Sequence, residues 1–222
     1  MKFLRHIFCL ALIVLAALSL ASSKALAQRE SGAEVLQRLS SYLFDSREVK
    51  FNARITVAKE TALNHGLFFA CTEWGYFSLA GISEYQYDKE NIYLYYYGTN
   101  EYTIQKRKES SSNIFENPFA FLSKPENLTV SDPSLEILDG KRVKVLTVTP
   151  AKGGKQSFQS AKVYLKENLQ TPQLVKIDIY TANGGKFQLT VTSISQRLSA
   201  EQASAYKIDL SAHKGVIIND LR

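Results

Sequence analysis

Cysteine is nearly absent. The 222-residue chain carries two, Cys9 and Cys71, so neither a disulfide framework nor a multi-cysteine metal site can be built from it. Histidine is almost as scarce: His6, His65 and His213 lie far apart, without the spacing of metal ligands. Eleven glycines and five prolines are too few for a collagen, a flexible linker array or a disordered tail. No G-x-S-x-G, Walker loop or H-E-x-x-H occurs, so the commonest hydrolase, nucleotide-binding and zinc-peptidase signatures are missing. Apolar runs are short. The longest, Ile7 to Ala21, falls below the roughly 20 residues of a membrane-spanning helix.

That run has another reading. Lys2 and Arg5 precede it, and Ala25-Leu26-Ala27 supplies the small-x-small pattern of a signal-peptidase site. The expected product is an exported, soluble protein cut after Ala27, with residues 28–222 as a single domain. Cys9 lacks a lipoprotein cleavage context. Cleavage removes three of the 27 basic residues and none of the 21 acidic ones, halving the formal charge of +6. So mild a balance gives no case for nucleic acid.

Aromatics are what the chain has in abundance: 12 Tyr, 12 Phe and one Trp. Their pattern is mostly that of strands. After an S-x-x-E capping box at Ser31 and Glu34, Val35, Leu36, Leu39, Tyr42 and Leu43 form one apolar helical stripe. Val49, Phe51, Ala53, Ile55 and Val57 then alternate with polar residues, as in a half-buried strand. Further strands are expected at 66–71, 75–80, 84–88, 92–97 and 102–105, joined by hairpin turns. Asn117-Pro118 reads as an N-cap with proline at the first helical position, opening a short apolar helix through Phe119, Phe121 and Leu122. Strands resume at 135–138 and, past an Asp139-Gly140 turn, at 142–149. Others follow at 160–165, 174–180, 186–194, 206–210 and 216–221, with a brief helical turn capped by Ser199 and Gln202. The expectation is mainly β: about ten antiparallel strands in one curled sheet, an incomplete barrel whose concave face is covered by helices.

Few single residues invite chemistry. Cys71 reads as a small buried hydrophobe, and His65 and His213 as exposed loop residues. Glu84 and Asp88 read as a solvated strand face. Lys106-Arg107-Lys108 and Lys141-Arg142 with Lys144 are basic clusters: solvated loops, or a docking patch for an acidic partner or an anionic membrane surface. Tyr93, Tyr95, Tyr96 and Tyr97 crowd one strand, preceded by Phe68, Phe69, Trp74, Tyr76 and Phe77. Aromatics on both faces imply that neither is simply wet: either one is core and the other a ligand groove, or both are packed core.

These features in this order resemble the periplasmic outer-membrane lipoprotein carriers (LolA-like). The resemblance spans roughly Ser31 to Arg222. It rests on the amphipathic helix, the Val49–Val57 strand, the Gly66 strand and the aromatic strand Ile92–Tyr97 after Asp88. Asn117-Pro118-Phe119-Ala120-Phe121-Leu122 is similar to the family's short lid helix, and Gly215 to Arg222 to its ending. The family's arginine in the early aromatic strand has no counterpart in Tyr76-Phe77-Ser78-Leu79. The resemblance implies a non-enzymatic protein without cofactor or metal, an apolar cavity under a lid, and acylated lipoproteins as cargo. It also implies an inner-membrane exporter and an outer-membrane acceptor as partners, with transient membrane contact. The expected cavity and lid residues are Leu36, Leu39, Leu43, Phe51, Ile55, Phe69, Phe77, Tyr93, Tyr95, Phe119, Phe121 and Leu122. The alternative is a regulatory protein that senses lipids or lipoproteins with the same half-barrel.

Overall fold

The computed structural model describes residues 30–107, 114–152, 157–167 and 170–222. The expected signal segment, 1–27, lies outside them, as do Lys108 and the serines after it. From Gly32 to Arg222 the chain forms one unit.

The apolar stripe of the first helix is real: α1 (Gly32–Leu43) buries Val35, Leu36, Leu39 and Leu43 on one side. Thirteen strands among the described residues then join one sheet. These are β1 (Arg47–Val57), β2 (Glu60–Ala70), β3 (Gly75–Leu79), β4 (Ser83–Tyr87), β5 (Asn91–Tyr96) and β6 (Glu101–Lys106). After the segment beneath the sheet come β7 (Leu128–Val130), β8 (Ser134–Leu138), β9 (Lys141–Pro150) and β10 (Ser160–Lys166). Last are β11 (Leu174–Tyr180), β12 (Lys186–Ile194) and β13 (Ile217–Asp220). The order is β13-β6-β5-β4-β3-β2-β1-β12-β11-β10-β9-β7, with β8 also on β9. The sheet is open and curled, the half-barrel expected from the sequence.

Three expectations about strands need correction. The 66–71 strand begins earlier, at Glu60, because Ala58 and Lys59 make a tight hairpin turn with positive φ at both residues. Asn-Gly or Asp-Gly usually mark such turns, so Ala-Lys gave no signal. The last strand pairs parallel with β6, Ile217 opposite Glu101, and so the sheet is not wholly antiparallel. The expected strand at 206–210 does not form. That stretch crosses the convex face, and the Ile208 amide donates to the Gln86 side chain at 3.1 Å instead of to a strand ladder. The capping box at Ser199 and Gln202 is present and starts the single helical turn α2 (Ala200–Ala203).

Alternation decides what each face carries. Val49, Phe51 and Ala53 of β1, Phe68 of β2, Phe77 and Leu79 of β3, Tyr85 and Tyr87 of β4, and Ile92 and Leu94 of β5 point to the concave side. Leu146, Val148, Val163, Ile177, Ile179, Phe187 and Leu189 continue that face across the other half. A register shift opposite Lys50 and Phe51 sets Val191 and Ile194 both against this core, though the two are three apart. Gly66 is required by this packing: a Cβ there would lie 2.1 Å from the Phe51 ring.

Candidate functional site

The concave face is covered by α1 and by the segment following residue 114. Ile114, Phe119, Phe121 and Leu122 are fully buried in the same core as α1. Phe119 stacks on Phe68 with ring centroids 4.5 Å apart and tilts against Phe51 at 5.3 Å, while Phe121 meets Phe158 at 5.1 Å. The segment is not the α-helix expected from 117. Buried Asn117 accepts the Phe119 amide on its side chain (3.0 Å) and the Ala120 amide on its carbonyl (3.0 Å). Only a single 3₁₀ turn, Ala120–Ser123, then forms before Pro125. Two prolines, Pro118 and Pro125, leave room for little more.

Beside this plug is an apolar cavity of about 210 Å³. Its floor is Ala53, Ile55 and Val57 of β1, Phe77 and Leu79 of β3, and Phe187 and Leu189 of β12. Phe115 and Pro118 roof it, and Phe115 packs edge-on against Phe187 at 5.3 Å. Ile82, Tyr96 and Phe115, each well exposed, stand at its mouth. Ser83 and the Tyr96 hydroxyl are its polar side-chain groups. No charged residue is in this lining, so it suits a saturated or aromatic apolar group.

Of the twelve expected site residues, Ile55 and Phe77 line the cavity. Leu36, Leu39, Leu43, Phe51, Phe119, Phe121 and Leu122 fill the adjoining core under the sheet. Phe69, Tyr93 and Tyr95 do not belong there. They point to the convex face, because Phe68, Ile92 and Leu94 hold the inward positions of β2 and β5. Tyr96, on the inward parity, reaches the cavity instead. The turns carried this information. Pairing Phe77 with Tyr85, and Tyr85 with Leu94, fixes the parity of β5 from that of β3.

On the convex side the chain's own C-terminal segment covers Phe69 and Tyr95, and beside Tyr206 it leaves a polar groove of about 550 Å³ against Trp74, Gln86 and Asn91. Tyr206 stacks on Phe69 at 4.7 Å, and its hydroxyl donates to Glu48 at 2.7 Å. His213, expected in an exposed loop, is half-buried: it stacks on Tyr95 at 4.0 Å and lies 3.9 Å from a Glu84 oxygen. Glu84, expected on a wet face, is buried and accepts from the Tyr76 and Tyr97 hydroxyls. Burial first, and then this carboxylate, pushes the Tyr97 phenol up to about 12 and raises that of Tyr76 as well. Asp88 has a different role: both of its oxygens are used in closing the β4–β5 turn. Partial burial alone would raise its carboxyl. The Asn91 and Glu90 amides, the Tyr93 hydroxyl and Arg107 outweigh that and hold it low. His65 is exposed but on β2, where it bonds Asn52 at 2.8 Å. Cys71 is half-buried, not core. Among the described residues no three His, Cys, Asp or Glu side chains converge as metal ligands would. No described helix is long and apolar enough to cross a membrane.

No family model matches the sequence, and no curated protein does. Solved structures do. An uncharacterized conserved protein from Thermus thermophilus aligns with a TM-score of 0.50 at 13% identity, over 84% of this chain and 97% of that one. A LolA superfamily protein from Nitrosomonas europaea aligns at 0.43 and 10% identity, over 81% and 99%. A putative outer membrane lipoprotein-sorting protein domain from Vibrio parahaemolyticus aligns at 0.38 and 11%, over 78% and 96%. At such identities the likeness is one of fold alone.

Proposed function

We propose that this protein is a periplasmic carrier that binds the acyl chains of lipoproteins under its curled sheet and moves them from the inner to the outer membrane. The observation that carries the reading is the apolar cavity between β1, β3, β12 and the Phe115–Pro118 roof. An acyl chain does not enter water unaided, since each methylene left exposed costs ~0.8 kcal/mol. A carrier therefore needs a dry surface for it and a way to uncover that surface.

Size sets the second requirement. At about 210 Å³ the cavity lies below the roughly 300–1,000 Å³ of pockets that enclose a drug-sized ligand, too little for a whole lipid anchor. Loading a lipid anchor requires the Phe119–Leu122 plug to withdraw, which makes residues 114–123 the lid. A single 3₁₀ turn has little stability of its own, and the segment is held by its apolar contacts together with the Ile114 amide, which donates to Ser157 at 2.9 Å. Acyl chains offer the same kind of contact and can replace the plug against the sheet.

The test is a titration of the purified protein with a fluorescent long-chain acyl probe. Binding is expected, and Ile55→Trp, which fills the half-buried floor of the cavity, is expected to abolish it while the fold persists. No acyl binding, or binding indifferent to Ile55→Trp, refutes the reading.

A further inference from the structure

The β8–β9 hairpin stands at one edge of the sheet, away from the cavity. Asp139 and Gly140, both with positive φ, form its tight tip. β8 pairs only with β9, so its outer edge is free among the described residues. Leu135 and Ile137 are 51% and 68% exposed, the largest apolar exposure on this edge. The register places Leu135 opposite Lys144 and Ile137 opposite Arg142. Directly paired residues share a face, so two bare aliphatics and two cations, Arg142 and Lys144, form one surface; Lys141, opposite Leu138, is exposed at the tip on the other face. The opposite face is closed: Val143, Val145 and Tyr164 are buried there with Leu138 against them.

Charge on the hairpin favours one sign. Glu136 is neutralised by Lys162 at 3.0 Å, and Arg142 is paired with Glu167 at 3.0 Å. Asp139 at the tip is the remaining acid. Over both faces of this edge, Lys141, Arg142, Lys144, Lys162 and Lys166 outnumber Glu136, Asp139 and Glu167; on the Leu135–Ile137 face itself the cations are Arg142, paired with Glu167, and Lys144. Exposed aliphatics on a soluble edge strand invite aggregation, and such edges are usually blunted. Here they are kept, with Arg142 and Lys144 on the same face and Lys141 at the tip. That pairing fits a surface with fixed negative charge outside and hydrocarbon just beneath.

We infer that the β8–β9 hairpin is a contact surface for an anionic phospholipid bilayer. Leu135 and Ile137 enter the acyl boundary while Lys141, Arg142 and Lys144 stay at the headgroups. The contact is reversible, because two side chains and a few charges fall far short of a spanning anchor. The inference does not depend on what the cavity holds.

The experiment is co-sedimentation with vesicles of phosphatidylcholine alone and of phosphatidylcholine with phosphatidylglycerol. Binding is expected only to the second kind, and is expected to weaken as salt is raised. Lys141→Gln and Lys144→Gln should each lower it about fivefold, and Leu135→Ser with Ile137→Ser about tenfold or more. Both aliphatics are more than half exposed, so the fold should survive; Ile137→Ser alone is the milder control. Acyl-probe binding measured on the same variants should not change, which separates this surface from the cavity. Three results overturn the inference. One is vesicle binding indifferent to these substitutions. Another is a dimer in solution that the Leu135/Ile137 variant abolishes, making the patch an interface between copies. The third is equally tight binding to a soluble acidic polypeptide that needs the lysines but not the aliphatics.

Discussion

Replacing Phe119 with alanine separates a lid from a core element. In the closed structure Phe119 is fully buried, stacked on Phe68 and tilted on Phe51. Truncating such a side chain in a rigid core costs about 3–5 kcal/mol. A lid behaves differently. When the closed state is weakened by more than the lid's own opening free energy, the lid opens, and the folded ensemble loses only that opening energy. The deficit in global stability is then capped at that opening energy, short of the full cost of the cavity. Meanwhile the open, binding-competent fraction rises, and apparent affinity rises with it, since the apparent Kd is the intrinsic one divided by that fraction. Each ~1.4 kcal/mol of opening energy removed should tighten acyl-probe binding tenfold. Urea denaturation gives the first quantity and probe titration the second. A stability loss of the full 3–5 kcal/mol with unchanged probe affinity would refute the lid and make residues 114–123 ordinary core.

Other outcomes follow from the same contacts. Gly66→Ala drives a methyl into the Phe51 ring and to 2.8 Å from the Ser78 carbonyl, so it should cost about 1–3 kcal/mol in chemical denaturation; a neutral result would mean that the β1–β2 packing is looser than described. Glu84→Ala leaves the Tyr76 and Tyr97 hydroxyls without their acceptor and should cost about 1–3 kcal/mol, read as a lowered urea midpoint. Tyr87, Tyr97 and Tyr164 are each raised from 10.0 to about 12, chiefly by burial. The folded state thus favours the protonated phenols: their contribution is whole below pH 10 and is lost as pH climbs to about 12. Stability should fall across that window, with tyrosinate absorbance rising as the protein unfolds; titration near 10 with the fold intact would contradict this. Cys71, half-buried with no disulfide partner, should tolerate Cys71→Ser with acyl-probe binding unchanged.

Local pattern alone determined a good deal. The apolar stripe of α1, the period-two run of β1, the Asp139-Gly140 turn and the Ser199–Gln202 capping box each depend on neighbours within a few residues, and each is where the pattern put it. An aromatic-rich meander that must curl also followed, because so many half-apolar strands leave no flat alternative. The face on which each aromatic lies was another matter. Phe69, Tyr93 and Tyr95 alternate as well as Phe68, Leu94 and Tyr96 do. Only register, carried from strand to strand through the turns, distinguishes them. The destination of the C-terminal segment was equally invisible. Tyr206 and His213 meet Phe69 and Tyr95 across more than a hundred residues of chain, covering those two aromatics and burying Glu84. The cavity is likewise a tertiary object: β1, β3, β12 and the Phe115–Pro118 roof come from four separate stretches. Its volume is whatever their packing leaves unfilled, a difference between large volumes that no single stretch of sequence encodes.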